Sequence, residues 1–332
     1  MSSAPCTLVV TGKSSTEKEF AKTLKLVNLP ECETLISSET IDGDHSFDTR
    51  VFMNALSTRT FGRLLIYSPH LSSTHDIVSK NFEELPFGSV CVTDVQSKGR
   101  GRSLNVWESP RGSLLFSFTL QMEDGRVVPL LQYVVSLAVV EAIKDVCKEN
   151  KTPSLEVKIK WPNDLYLNNL KIGGVLCTST YKSKKFNICA GVGLNVDNEI
   201  PTTCLNSVLR KITPFGDPLQ REDILAAFFN RFESFFELFI NKGFGSLDEM
   251  YYKAWLHSGQ RVTVLDETEG KKEDSVVTIQ GLTASGYLIA IGDDDVMYEL
   301  HPDGNRWGIL FSLILFFYNF FYMVAALIFS KG

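Results

Sequence analysis

The sequence predicts an α+β domain followed by a small all-β unit. Two patterns carry this. Between residue 61 and about 255, six short β-like runs (RLLIYS, SVCVTD, SLLFSFTL, VKIKW, KIGGVLCTST, FNICAGVGLNV) alternate with two long helical patterns. From about 256 to 305, four shorter runs (QRVTVLD, DSVVTIQGL, GYLIAIG, VMYELHP) are split by charged or glycine turns, which suits a small SH3-like barrel.

Residues 1–60 open with a strand-like CTLVVTG, then a helix-capable SSTEKEFAKTLKL and a second short run TLISSE, with no helix-turn-helix pattern; they read as a small N-terminal α/β extension, an accessory region. The two long helices are expected over Pro129–Cys147 and Leu219–Asn241. In the second, Ile224, Leu225, Phe228, Phe232, Phe235, Phe236 and Phe239 fall on one stripe at three- and four-residue spacing, which is the pattern of core packing. After the four β runs, HPDGN reads as a turn. The charge-free run Trp307–Phe329 follows, flanked by Arg306 and Lys331; as a helix rising about 1.5 Å per residue it would reach roughly 34 Å, enough to span a bilayer. Residues 306–332 therefore stand as a hydrophobic tail with three readings: a transmembrane anchor, a buried helix, or a variant terminus.

Composition excludes several classes. The 332 residues are 44% hydrophobic and 22% charged, an ordinary globular mixture. A net charge of −6 argues against a nucleic-acid partner, because binding a phosphate backbone needs a basic face. The 7 cysteines are scattered and lack a CxxC pair, which fits a reducing compartment and neither a disulfide framework nor a zinc site. The start MSSAPCTLVVTGKSS has neither the charged and apolar segments of a secretory signal nor the Arg-rich character of a transit peptide, so the chain is expected in the cytoplasm, with membrane attachment only if the tail is an anchor.

The chemistry concentrates in two segments. Lys98, Arg100, Arg102 and Arg111 crowd one loop, with Gly99 and Gly101 interleaved so that main chain can approach a ligand without a Cβ in the way. In KIKWPNDLYLNNLKIGG, Lys160 ends a strand, Pro162 bends the chain, Asn163 and Asp164 supply polar groups, and Lys171 begins a returning strand through Gly173 and Gly174; a hairpin of this kind brings the two lysines to one end of a sheet. Alone, each segment also reads as a solvated charged loop or a plain turn. Together they suit a pocket that holds a triphosphate and a carboxylate at once, as acyl-adenylate formation requires.

The chain closely resembles the biotin protein ligases (holocarboxylase synthetases), most closely their plant form, over about residues 61–305. The resemblance rests on Ser73-Thr74 in LSSTHD, Gln96 with Gly99-Arg100-Gly101-Arg102, Trp107, Lys160-Trp161-Pro162-Asn163-Asp164, Lys171 with Gly174, and Gly191-Val192-Gly193-Leu194-Asn195. It implies a class II aminoacyl-tRNA-synthetase-like catalytic domain at 61–255 and an SH3-like domain at 256–305. It also implies a two-step ligase: biotin and Mg-ATP give biotinyl-5′-AMP, then a lysine of an apo biotin carboxyl carrier domain, as in acetyl-CoA carboxylase and related carboxylases, takes the biotinyl group.

Carried over residue by residue, the resemblance assigns biotin binding to Ser73, Thr74, His75, Gln96, Gly99, Arg100, Gly101, Arg102, Lys171 and Gly174. It assigns the adenylate to Arg102, Trp107, Lys160, Asn163 and Asn195, and catalysis to Arg102, Lys160, Asp164 and Lys171. Asp164 is also the candidate for positioning Mg²⁺ or for taking a proton from the incoming lysine. Two departures stand out: Ser103-Leu104-Asn105 interrupts the arginine pattern found in bacterial members, and His75 replaces an asparagine. The DNA-binding head of the bacterial members is absent from the sequence. Two other readings remain, a lipoate or octanoate ligase and a non-catalytic binder of biotin or carrier.

Overall fold

Hydrophobic runs that stay apolar on both faces must be covered on both sides, and the longest of them lie at the centre of an eight-stranded sheet. A computed structural model describes residues 6–27, 32–33, 46–198, 200–268 and 271–302. The strands are β1 (Cys6–Thr7), β2 (Val9–Gly12), β3 (Cys32–Glu33), β4 (Leu64–Leu71), β5 (Val90–Gln96), β6 (Ser113–Met122), β7 (Lys158–Lys160), β8 (Asp164–Leu167), β9 (Leu170–Lys182), β10 (Lys185–Asn195), β11 (Arg261–Thr268), β12 (Lys271–Leu282), β13 (Leu288–Gly292) and β14 (Met297–Leu300). The helices are α1 (Ser15–Thr23), α2 (Thr49–Ala55), α3 (Thr74–Lys80), α4 (Leu131–Glu149), α5 (Leu205–Ile212), α6 (Arg221–Lys242) and α7 (Asp248–Ala254). The large sheet runs β2-β4-β5-β6-β10-β9-β8-β7. Within it only β4 and β5 pair in parallel, and α3 makes the crossover between them.

The two faces of this sheet differ in chemistry. Phe116 and Phe118 of β6 point to the face covered by α6, where Phe228, Phe229 and Phe232 pack against them at centroid separations of 5.0 to 5.9 Å. Burying each such ring contributes on the order of 2 kcal/mol. The stripe expected on the second long helix is buried as read, from Ile224 to Phe239. The opposite face carries Ser117, Thr119, Gly191 and Gly193 toward α3. Further along, it packs Ile66, Cys91 and Cys189 against Ala21 and Leu24 from the α1 segment and Ile77 and Val78 from α3.

Several expectations are corrected. The stretch from Lys160 to Lys171 is not one hairpin: Asp164–Leu167 forms its own strand, joined to β9 through Asn168 and Asn169, both at positive φ (49° and 64°) as a two-residue I′-like turn requires. The short length of DLYL, with alternating burial, hid it in the sequence. The first long helix begins at Leu131 after a 3₁₀ turn over Val128–Leu130, which absorbs Pro129. The N-terminal region contributes more than an accessory: β2 forms the sheet edge against β4, and α1, opened by a Ser14–Glu17 capping box, packs on it. The run TLISSE and the tail 306–332 lie outside the described residues; among the described residues no helix is long and apolar enough to cross a membrane.

The chain divides into two compact units, residues 1–256 and 257–332. Within the second, β11 to β14 form one antiparallel sheet in sequential order, with a bulge in β12 between Ile279 and Gly281.

Candidate active site

The residues singled out in the sequence gather on the glycine-rich face of the large sheet. One row of cross-strand partners runs Asp164, Gly174, Gly193, Leu115, Thr93 across five strands, and a neighbouring row aligns Leu176, Gly191, Ser117 and Cys91. Gly174, Gly191 and Gly193 thus clear a floor in the sheet. The indole of Trp107 lies on it: a Cβ at position 193 would stand 2.5 Å from Trp107 Nε1, a separation no real side chain tolerates.

Trp107 is delivered by the loop after β5. Gly101 N donates to Asn105 O (2.8 Å), Trp107 N donates to Gly99 O (3.0 Å), and Arg100 bridges to Val106, so residues 99–107 fold back as a small antiparallel loop. Gly99 is demanded here, because a Cβ would come within 2.3 Å of Trp107 O. Ser103, one of the residues that interrupt the bacterial pattern, takes a left-handed φ of 50° at the loop's tip.

The polar groups fall into two joined clusters. In the first, the backbone N and the hydroxyl of Thr74 both donate to Gln96 Oε1 (2.9 and 3.2 Å), the Thr74 hydroxyl also meets Ser117 Oγ (2.9 Å), and Gln96 Nε2 donates to Ser109 Oγ (2.9 Å). Ser109 in turn donates to Trp107 O (3.2 Å), which ties this cluster to the loop. Beside it, His75 Nε2 meets Thr178 Oγ1 at 3.1 Å. Burial first, then the charge of Arg100, depresses the His75 pKa to about 4, so the ring is neutral at ordinary pH.

In the second cluster, Lys171 Nζ lies 2.7 Å from Asp164 Oδ1 and 5.4 Å from the Trp107 ring centroid. Lys160 is the cross-strand partner of Asp164 and lies over the Tyr166 ring. Asp164 therefore stands between both lysines. Arg102 reaches Asn163 Oδ1 with a long 3.4 Å contact, while the Asn163 amide donates to Val175 O. Asn195 donates to Thr203 O (3.0 Å) and Thr202 Oγ1 (3.4 Å).

Among the described residues, three side-chain atoms around this floor are buried without a hydrogen-bond partner: Ser73 Oγ, His75 Nδ1 and Trp107 Nε1. Buried polar groups are normally satisfied, so a cluster of orphans marks a place where a ligand or ordered water can supply the missing partners. Arg100 behaves differently. Its guanidinium pairs with Asp76 Oδ1 at 2.7 Å and is half exposed. Burial works against the Asp76 carboxylate, but the hydrogen bond and charge of Arg100, with Lys80 adding, leave its pKa lowered.

The donor set does not build a resident metal site. No group of three or more His, Cys, Asp or Glu side chains converges among the described residues, and Asp164 is already engaged by Lys171. A single such carboxylate suits Mg²⁺ only where substrate phosphates and water complete the coordination.

The profile of the biotin/lipoate A/B protein ligase family matches residues 67–195, the span from β4 to the end of β10 that holds nearly all of these residues. Biotin–protein ligase 2 of Arabidopsis thaliana is 60% identical over 94% of this chain and 98% of its own length, and the chloroplastic biotin–protein ligase 1 of the same plant is 61% identical over 94% and 88%. The chain belongs to the biotin–protein ligase family. Solved structures of the Aquifex aeolicus biotin protein ligase share the fold: the complex with biotin and ATP superposes with a TM-score of 0.55 at 26% identity, covering 73% of this chain and 96% of that one. A point mutant of that enzyme, in complex with biotin, gives 0.56 at 26% identity over 71% and 94%.

Four hydroxyls that bond directly to the candidate residues escaped the sequence reading: Ser109, Ser117, Thr178 and Thr202. Each is a hydroxyl on a neighbouring strand or loop whose role depends on register, and no local motif signals it.

Proposed function

We propose that the chain is an ATP-dependent biotin–protein ligase that uses the assigned residues for adenylation and transfer. The observation that carries this is the placement of the Lys171 ammonium between Asp164 and Trp107, on the same glycine floor as the Thr74–Gln96–Ser117 network and its unpartnered neighbours. A neutral, multiply hydrogen-bonding head group fits the first cluster, and a carboxylate with an α-phosphate fits the second.

In the first step a carboxylate oxygen of biotin attacks the α-phosphorus of ATP; a P–O bond forms, the bond to the β-phosphate breaks, and pyrophosphate leaves. Lys171 and Arg102 hold cationic charge where negative charge accumulates in the transition state, and Lys160 stands ready for phosphate. Mg²⁺ bound with the triphosphate would supply charge neutralisation at the phosphates, with Asp164 as the one carboxylate of this cluster that could help hold it. Asp164 fixes Lys171. Trp107, Asn163 and Asn195 frame the adenylate side. In the second step the carrier lysine amine attacks the biotinyl carbonyl carbon, the C–N bond forms, the C–O bond to AMP breaks, and the amine proton is released.

Residues 61–255 serve as the catalytic domain and 256–305 as the SH3-like domain in this reading, with apo biotin carboxyl carrier domains of carboxylases as partners and no nucleic acid. The cytoplasm is the proposed location; because the name of one Arabidopsis relative carries "chloroplastic", a fluorescent fusion imaged in plant cells is the check.

The deciding experiment is biotin-dependent exchange of labelled pyrophosphate into ATP, followed by transfer to an apo carrier domain. Exchange with lipoate or octanoate in place of biotin would overturn the substrate assignment, a competing outcome made specific by a family profile that spans both ligase types. Biotin binding without exchange would mark a non-catalytic binder.

A further inference from the structure

The carbonyl of Lys171 lies just beyond the end of a ladder. Pairing between β9 and β10 stops at Gly173 opposite Leu194, and on the other side the β8–β9 register is irregular between Leu165 and Tyr166, next to Lys171. The backbone that carries the Lys171 ammonium is therefore held by β8 through an irregular register and by no rung from β10. A hydroxyl takes over there: Thr202 Oγ1 donates to Lys171 O at 2.6 Å.

The same hydroxyl oxygen accepts from Asn195 Nδ2 at 3.4 Å, and Asn195 also donates to Thr203 O at 3.0 Å. Asn195 is the last residue of β10, is 3% exposed, and pairs with Ser113 of β6 on its far side. Its amide nitrogen is thus spent on residues 202–203. A continuous chain of hydrogen bonds runs from the terminal rung of the β6–β10 ladder through Asn195 and Thr202 to the main chain at Lys171. Residues 202 and 203, with Ser207, Arg210 and Lys211, also line an open cavity of about 420 Å³.

We infer that Thr202 is a positioning residue of the adenylation step: its hydroxyl fixes the Lys171 backbone and so sets where the ammonium meets the reacting carboxylate and α-phosphate. This rests on the reading of Lys171 given under the proposed function. Thr202 acts through the Lys171 main chain, the group its hydroxyl holds. Its loss acts on the rate of adenylation rather than on biotin affinity, because only the transition state depends on sub-ångström placement of the cation.

The test compares Thr202→Val, which keeps the shape and removes the hydroxyl, with Thr202→Ser, which keeps the hydroxyl, in the full chain. Biotin-dependent pyrophosphate exchange is measured over a range of biotin concentrations, with thermal melting as the control for folding. Thr202→Val is expected to lower kcat about fivefold to tenfold with the KM for biotin within about twofold of the parent, and Thr202→Ser to restore kcat to within about twofold. In a Lys171→Ala background, Thr202→Val is expected to cost nothing further. Unchanged kcat in Thr202→Val, equal losses in Val and Ser, a matching rise in biotin KM, or additivity with Lys171→Ala would each overturn the assignment. Absence of biotin-dependent exchange in the parent chain would instead overturn the proposed function itself.

Discussion

Lys171 and Asp164 form an ion pair at 2.7 Å although they are not cross-strand partners: Asp164 stands opposite Gly174 and Lys171 opposite Tyr166. The pairing follows from the register shift between Leu165 and Tyr166, which sets Lys171 beside Tyr166 while Gly174 stands opposite Asp164, in ordinary contact range of both that carboxylate and the Trp107 ring. The ammonium is thereby fixed over the floor before any substrate arrives. Lys171→Ala is expected to slow adenylation by on the order of 10² or more with little change in biotin affinity, measured by pyrophosphate exchange and by equilibrium binding. Asp164→Asn should cost less, about fivefold, because a partly exposed pair contributes no more than roughly 1 kcal/mol to holding the lysine.

Arg102 gives a second prediction. Its contact with Asn163 Oδ1 is 3.4 Å, which places the guanidinium beside the residue read as framing the adenylate. Arg102→Gly is expected to weaken retention of biotinyl-5′-AMP by about 2 to 4 kcal/mol, so that the free adenylate escapes and labels lysines on bystander proteins. The check is the amount of adenylate in the filtrate and of non-specific biotinylation. Retention equal to that of the parent chain would remove Arg102 from this role.

How much of this was legible in the sequence follows from the range of each interaction. The Phe228–Phe239 stripe needs only the helical period, and it is buried as read. The runs around Gly99 to Trp107 and Lys160 to Lys171 carry local punctuation, Gly and Pro with clustered cations, and the fold brings both onto one floor. Ser117 and Thr178 carry no such mark. Ser117 matters because it lies opposite Gly191, and Thr178 because α3 presents His75 to it; both depend on pairings between elements far apart in sequence. The strand β8 was missed because four alternating residues between two turns are too few to show a period.

Gly193 offers a structural test of the floor. Trp107 Nε1 and Cε2 would lie 2.5 and 2.7 Å from a Cβ there, and the indole is held at its backbone by Gly99 O and Ser109. Gly193→Ala is therefore expected to displace the indole and with it the cation–π contact to Lys171. Adenylation should fall about tenfold or more, and the Trp107 contribution to fluorescence, isolated by comparison with Trp107→Phe, should shift toward that of exposed tryptophan. An alanine variant with parent activity and emission would show that the indole does not rest on this floor in solution.

The buried His75 makes stability depend on pH in a defined direction. Its pKa falls from the unperturbed 6.5 to about 4 because burial, and then the Arg100 charge, disfavour the imidazolium; Asp76 acts in the opposite sense and does not cancel them. Below pH 6.5 the unfolded chain therefore binds a proton that the folded chain refuses, and each step down in pH favours unfolding until the folded group also titrates near pH 4. Above pH 6.5 both states are neutral and the group contributes no slope. The full effect is on the order of 3 kcal/mol between these limits. His75→Asn, which keeps a polar side chain but removes the titrating ring, is expected to flatten this part of the curve while leaving the carboxylate-driven loss at lower pH. Urea unfolding of both proteins at about pH 7, 6, 5 and 4 measures the difference. Parallel curves across that window would mean that the ring is protonated in the folded chain or that water reaches it.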